Sequence, residues 1–427
     1  MFVFLLSSSL FIINNSFTIS LSISDLVYSF SSSFLFILFL ILISIIFFLQ
    51  STYFKIKFNF SKYRVNKKIS QKQKGYSAFV EGMIAISNKD YKKAIVENRK
   101  ISNYLDSDLS LSLLLKSEIY KIEKKYDDLS KVYEDMSKYK NTQTLGYRGL
   151  MEQYLRSHDY HHAFLYADKL FNINPYIEKI YDTLVNILVK TKNWQQLIAV
   201  TDKAFSKKII DKKIYEDNKS IAYFEIAKIK QFSEQEDSLN ILKKALKLKS
   251  NFPPFIKLYS EILIESKKYL VAKKYLKKAW NNNAHPEFKS SILILAQSNN
   301  INIVDLVKYI VGSSKNEESK ILLVEASIIG KKWKEARSEL KNLLDTKPKK
   351  EICLLMAKIE EGENSDIQKV NAWTLRSEKG VASHIWICSI SNKAQNEWTS
   401  VSDGGYFNSL VWKQPFVLQQ NNTLKVL

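Results

Sequence analysis

The sequence predicts an all-α protein in which N-terminal transmembrane helices precede a helical-repeat array, an α-solenoid. Three observations predict it. Residues 33–50 read SFLFILFLILISIIFFLQ, and no charged residue occurs between Asp25 and Lys55. Beyond that run the chain is lysine-rich, with apolar residues at helical spacing and a short turn motif that recurs. With only 10 Gly and 6 Pro in 427 residues, the composition argues against Rossmann folds, β-sandwiches and Pro/Gly-rich linkers.

About 20 apolar residues, each rising 1.5 Å, cross a bilayer core of roughly 30 Å. Backbone polar groups there must be satisfied internally, so the run is expected to be helical. A shorter run, residues 1–13 (MFVFLLSSSLFII), has no basic flank and reads poorly as a signal peptide. Extended to about Ser20, it forms a second span. Between the runs, residues 17–28 (FTISLSISDLVY) alternate as a strand does. Residues 1–54 are therefore expected to be a two-span membrane anchor. Lys55, Lys57, Lys62, Arg64, Lys67, Lys68, Lys72 and Lys74 follow the main span, and no Lys or Arg precedes it. The positive-inside rule then places both ends in the cytoplasm. Residues 55–71 read as a basic juxtamembrane linker that can meet anionic headgroups, residues 72–376 as the repeat domain, and residues 377–427 as a small aromatic-rich tail.

The net charge of +21 matches the Lys, Asn, Ile, Phe and Tyr bias of an AT-rich genome. Net charge speaks to solubility and association rather than fold. No aromatic-basic module accompanies it, so nucleic acid is not an expected partner. Two cysteines, Cys353 and Cys388, exclude a disulfide framework and suit a reducing compartment.

In the repeat region a polar turn beside Tyr or Trp opens a helix with Ala or Leu three residues on. Asn88-Lys89-Asp90-Tyr91 leads to Ala94, His158-Asp159-Tyr160 to Ala163, and Lys192-Asn193-Trp194 to Leu197. Lys267-Lys268-Tyr269 leads to Ala272 and Lys331-Lys332-Trp333 to Ala336; Lys125-Tyr126 with Leu129 is a weaker copy. The clearest copies lie about 34 residues apart, the period of the tetratricopeptide repeat. The aromatic packs between paired helices, the small residue lets them approach, and stacking buries what one helix cannot. Pro175 and Pro253 stand where such a second helix ends. A groove formed by such stacking binds a peptide or protein by default.

Several stretches go further. Lys74-Gly75, Ala78, Gly82, Ala85 and Asp90-Tyr91 sit just after the anchor. Asn251-Phe252-Pro253-Pro254-Phe255, Ala279-Trp280 and His285-Pro286 follow, then Trp333, Ala336-Arg337, Leu340, and Cys353 to Ala357 with Glu360 and Trp373. Together they resemble the HemY family, proteobacterial inner-membrane proteins with a cytoplasmic tetratricopeptide domain. The resemblance covers nearly the whole chain and is nearest to the alphaproteobacterial branch. It implies a non-enzymatic accessory role at the inner membrane, organising ferrochelatase or other late haem-pathway enzymes. It does not imply protoporphyrinogen oxidase, which needs a Gly-rich loop after a strand. In that branch the tail resembles a zinc ribbon. Here Trp386-Ile387-Cys388, Trp398 and Trp412 match its frame, but Ser391 stands where Cys388 needs a partner. The second pair falls in Ser402-Asp403-Gly404-Gly405. One cysteine with only His384 nearby cannot supply about four ligands, so no zinc is expected.

No catalytic, cofactor or metal residue is expected. Gly82, Trp280, His285, Pro286, Trp333, Arg337, Trp386, Cys388 and Trp412 are the family-motif positions, read as structural, with His285 as a cap or a stack on Trp280. His158 and His162 stand four apart beside His161, but the Asp159-Tyr160 turn breaks the helix there and points to solvent. Cys353 reads as a buried small hydrophobe. Glu317-Glu318 and Glu360-Glu361 read as solvated helix faces. There is no P-loop, HExxH or GxSxG. Two other readings compete: a generic membrane-tethered adaptor or envelope-assembly factor unrelated to haem, and a direct porphyrin binder using His158 and His162.

Overall fold

The computed structural model describes residues 17–23, 26–105, 109–314, 316–341, 343–344 and 348–415. The first apolar run, expected as a second span, lies outside the described residues, as do residues 416–427 of the tail. The chain forms two compact units, Met1–Gly146 and Tyr147–Leu427, where the sequence suggests one repeat domain.

In the first unit β1 (Thr18–Ile23) and β2 (Leu26–Ser31) pair antiparallel, with Thr18 opposite Ser31. This hairpin is the alternating stretch. It feeds α1 (Ser32–Ser87), whose first turn is capped by Ser31 Oγ, which accepts from the Phe34 amide at 3.4 Å. Among the described residues α1 is the one helix long and apolar enough to cross a membrane. Residues 55–71, expected as a linker, are helical throughout. No Gly or Pro interrupts residues 32–74, and Lys, Gln and Arg are good helix formers. At 1.5 Å per residue, α1 is about 84 Å long.

Apart from Ser32 at its start, α1 is buried only near its C-terminal end. Gly75, Ala78, Gly82 and Ala85 form its buried face against α2 (Tyr91–Tyr104) and α3 (Ser110–Ile122). A Cβ on Gly82 would stand 2.5 Å from Leu115 Cδ2, so glycine is what lets α3 approach. α4 (Tyr126–Lys138) packs on α3, burying Leu113, Val132 and Met136.

The boundary between the units falls within α5 (Gln143–Arg156). The second unit continues with α6 (Tyr160–Ile173), α7 (Ile180–Lys190), α8 (Trp194–Ser206), α9 (Lys212–Lys230), α10 (Gln235–Leu248), α11 (Pro253–Glu265) and α12 (Tyr269–Asn282). It closes with α13 (Phe288–Ser298), α14 (Ile303–Val311), α15 (Glu317–Ile329), α16 (Trp333–Lys341), α17 (Lys350–Asn364) and α18 (Ile367–Glu378). From α6 onward each helix packs on the next, and first helices touch first helices across repeats, as α11 with α13 and α15 with α17. That neighbour pattern is a tetratricopeptide-like solenoid.

One device closes the turns. Lys89, Lys124, His158, Lys192, Lys267 and Lys331 all have φ between 53° and 62°, the left-handed region. The residue after each donates its amide to a carbonyl five positions back, as Asp90 to Ala85 (2.8 Å) and Asn193 to Leu188 (2.9 Å). This is the Schellman closure. Asp90, Asp159 and Asn193 then cap the next helix by accepting from the amide three residues on. Ala94, Ala163, Leu197, Ala272 and Ala336 are fully buried where the motif demands a close approach.

Three further pairs carry the same plan without the aromatic. Gln235 opens α10, Ile303 opens α14 and Ile367 opens α18, in place of Tyr or Trp. In α10 the small position is Ser238, fully buried, its hydroxyl donating to the Ala227 carbonyl at 2.7 Å. The motif is degenerate there, so only packing reveals those repeats.

The tail folds into a three-stranded antiparallel sheet, β3 (Ile385–Cys388) between β4 (Ala394–Gln395) and β5 (Leu410–Lys413). Trp386, Cys388, Trp398 and Leu410 join one core with α9, α11 and α13. The Trp398 ring lies 5.1 Å from Phe252 and 5.3 Å from Phe224. The tail is part of the second unit's core.

Two carboxylate expectations are corrected. Glu360 is 3% exposed and pairs with Arg337 Nη1 at 2.5 Å. Glu318 is partly buried, with one oxygen unpartnered, because α17 packs beside α15 and covers that face.

Candidate functional site

Helices α13, α15 and α17 lie side by side as first helices of successive repeats, and their shared face carries the candidate site. Lys289 rises from α13 and pairs with Glu325 of α15 at 3.1 Å and Glu351 of α17 at 2.9 Å. Lys349 pairs with Glu317 at 2.9 Å. Burial alone would lower the Lys289 ammonium, but Glu325 and Glu351 outweigh it and hold its pKa above the ordinary lysine value. Burial pushes the Glu325 and Glu318 carboxyls up. A lysine kept protonated by two carboxylates is neither nucleophile nor base.

Under this ion-pair ladder lies an apolar cavity of about 200 Å³, lined by Ile292, Ile303, Val307, Leu322, Ile329 and Leu355. A cleft of about 640 Å³ beside it runs between α17, α18 and the tail, past Leu354, Val370, Ile385 and Pro415. Apolar floor with polar rim suits an apolar side chain whose backbone hydrogen-bonds at the edge. Of this lysine–glutamate ladder the sequence points only to Glu317, as part of an exposed acidic pair; Lys289, Glu325, Lys349 and Glu351 carry no local signal. The ladder's signal, Lys and Glu at facing positions of helices 30 to 60 residues apart, exists only once the register is known.

The family-motif residues fall into separate places. His285, Trp386 and Trp412 converge. The His285 ring lies 4.7 Å from Trp412 and 6.2 Å from Trp386. Its Nδ1 accepts from the Glu287 amide at 3.2 Å, so it caps the turn into α13. It packs tilted against the tail tryptophans, at 52° to Trp412 and 39° to Trp386, where the sequence suggested a cap or a stack on Trp280. Burial, and then His384, push its pKa down to about 4. Pro286 follows in that turn, its carbonyl accepting from Lys289 at 3.0 Å. Trp386 Nε1 donates to Glu287. Trp280 Nε1 donates to Ser319 Oγ at 2.8 Å, joining α12 to α15. Trp333 covers Gly362, where a Cβ would stand 2.2 Å from its ring. Arg337 forks between Glu360 and Glu363. Gly82 belongs to the first unit. His158 and His162 sit at an exposed turn, bonded to Tyr160 and Asp159 respectively.

A zinc ion, which the tail resemblance implies, was tested against the donors present. Cys388 Sγ accepts from the Ser391 amide at 3.4 Å and lies 3.3 Å from Ser409 Oγ. Burial would raise this thiol, but hydrogen bonds from Ser391, Ser409 and Ser402 bring its pKa down to about 6. One sulfur among hydroxyls does not make the tetrahedral thiolate–imidazole set zinc takes. Among the described residues no group of three or more metal-ligating side chains converges. The tail does not fit zinc; serine hydroxyls fill the space around Cys388.

The fold defines a class, helical-repeat proteins of the tetratricopeptide type. No protein-family model matches the chain, and no curated protein does. Among solved structures it is similar to a tetratricopeptide repeat protein from Parabacteroides merdae, at 14% identity, TM-score 0.27, over 55% of this chain and 99% of that one. It is also similar to the TPR2AB domain of yeast Sti1 in its pHSP90 complex, at 12% identity and TM-score 0.30, over 71% and 98%. Yeast Tom70 is matched at 12% identity and TM-score 0.27, over 72% and 85%.

Proposed function

We propose that this chain is a membrane-anchored scaffold that binds partner proteins on the cytoplasmic side of a bacterial inner membrane. Following the HemY resemblance, the partners are late haem-biosynthesis enzymes, ferrochelatase among them. The observation that carries the reading is α1: one unbroken helix holds both the apolar run and the buried small-residue face of the first repeat. A membrane span continuous with the first repeat keeps bound enzymes near the bilayer. That raises their effective concentration for passing on poorly soluble intermediates. The chain supplies no chemistry of its own in this reading; its apolar cavity and ion-pair rim are recognition features.

The test is affinity capture from crosslinked membranes with the full chain as bait, together with porphyrin analysis after depletion. Enrichment of a porphyrin enzyme and accumulation of porphyrin intermediates are the expected results. Unchanged porphyrins, with only envelope or secretion proteins captured, would overturn the haem assignment and leave a generic adaptor. Release of the chain from membranes by alkaline carbonate would overturn the anchor.

A further inference from the structure

The stretch of α1 between the span and the repeats is bare on every side, and its pattern specifies a partner. Phe58, Val65, Ile69 and Tyr76 are separated by 7, 4 and 7 residues. At 100° per residue they fall within about 40° of one another, a single stripe. Ile69, the least open of the four, is 50% exposed. The stripe continues without a break along exposed Val80 and Met83. The buried face at Gly75, Ala78 and Gly82 points away from it, so α2 leaves the stripe free.

Charge supplies the second observation. Eight cations stand in residues 55–74 and no carboxylate occurs from residue 26 to residue 80. Among the described residues none of the eight lies within ion-pair distance of a carboxylate; the first pair along the helix is Lys93 with Glu81. Lys62, Lys68 and Lys72 border the stripe. At its base Tyr76, Lys68 and Lys72 line a cleft of about 660 Å³ with Tyr104, Leu111 and Leu114.

We propose that this stripe docks an acidic amphipathic helix of a partner protein. The partner's apolar face lies on Phe58, Val65, Ile69 and Tyr76, its carboxylates meet Lys62, Lys68 and Lys72, and one large apolar side chain enters the cleft. A second copy of this chain is the wrong occupant, because it would set its own unpaired cations against these. Lipid is the wrong occupant too. Val65, Ile69 and Tyr76 stand roughly 16 to 33 Å along the helix from residue 54, whereas a headgroup layer is roughly 6 Å deep. This rests on the membrane-anchor reading above.

The test uses the full chain in nanodiscs of neutral phosphatidylcholine, whose co-elution with lipid reports anchoring separately. The probe is a fluorescent 21-residue peptide of three EIAALEQ heptads. A control peptide carries Ser at each Ile and Leu. The expected result is saturable binding at micromolar peptide, weakened at least about tenfold by F58S/I69S and by K62E/K68E/K72E. The control peptide does not bind. Variants are checked for unchanged helicity and melting. Absence of saturable binding, equal binding by the control, or indifference to F58S/I69S would overturn the proposal. Displacement of the peptide by phosphatidylserine in the discs would assign the face to lipid instead.

Discussion

Trp386 Nε1 donates to Glu287 Oε1 at 2.7 Å, bonding residues 99 positions apart. The bond pins β3 to the turn that opens α13, and Lys257 stands 3.7 Å from the same carboxylate. Hydrogen bonds to charged groups contribute roughly 1.5–3 kcal/mol. Trp386→Phe keeps most of the ring but leaves Glu287 short of a donor. We expect it to lower stability by about 2 kcal/mol in urea unfolding, and to open the tail to proteolysis before the helices. A tail cleaved no faster than in the parent chain would show that the bond does not hold it.

His285 gives the second unit a defined acid response. Its folded pKa, about 4, lies below the ordinary value of 6.5. Above pH 6.5 the ring is neutral in both states and the shift costs nothing. Between 6.5 and 4 the unfolded chain takes up a proton that the folded chain refuses. Stability therefore falls with pH by up to about 1.4 kcal/mol per unit. His285→Gln should flatten that slope, though it also loses the ring contact with Trp412. Equal slopes in the two proteins, measured by denaturant midpoints across that window, would rule out His285 as the group responsible.

The left-handed turns are a stability reserve. Lys192 and Lys267 hold φ of 53° and 56°, a region costing an L-residue roughly 1–2 kcal/mol. Glycine relieves that strain but is itself about 0.5–1 kcal/mol worse in unfolded-chain entropy. Lys192→Gly and Lys267→Gly should each stabilise by about 0.5 kcal/mol and add when combined, being far apart. Thermal melts of the singles and the double decide it; a destabilised double would mean these lysines hold something besides the turn.

Two carboxylates on neighbouring first helices, Glu318 on α15 and Glu360 on α17, sit in opposite electrostatic settings. The Arg337 guanidinium holds Glu360 below the usual carboxylate range, so that pair stabilises at neutral pH and fades as pH falls through Glu360's lowered pKa. Arg337→Ala strands a buried charge and should cost about 3 kcal/mol. Burial holds Glu318 above the usual range, with one oxygen unpartnered, so its ionised form destabilises at pH 7. Glu318→Gln should stabilise by about 1 kcal/mol at pH 7 and by nothing below pH 4, where both states are protonated. A Glu318→Gln protein less stable at neutral pH would show that its charge serves the ladder with Lys349.

The helices, the exposed apolar run and the turn device were legible in the sequence because they are local. Period, capping residues and an uninterrupted apolar stretch act within a few residues, and Asp90, Asn193 and Ala336 announce their roles in any register. Three repeats were illegible because Gln235, Ile303 and Ile367 replace the aromatic, and helix pairing there is held by packing alone. Residues 55–71 looked like a linker from their charge, yet charge does not break a helix when Gly and Pro are absent. The site lay beyond local reading. Lys289 meets Glu325 and Glu351 only because three first helices stack in register. Glu360 is buried only because α16 lays Arg337 across it. Likewise, Trp386, Trp398 and Trp412 showed that the tail was aromatic. Only the tertiary structure decided that these rings belong to the repeat core, since which apolar surfaces meet depends on contacts about a hundred residues apart.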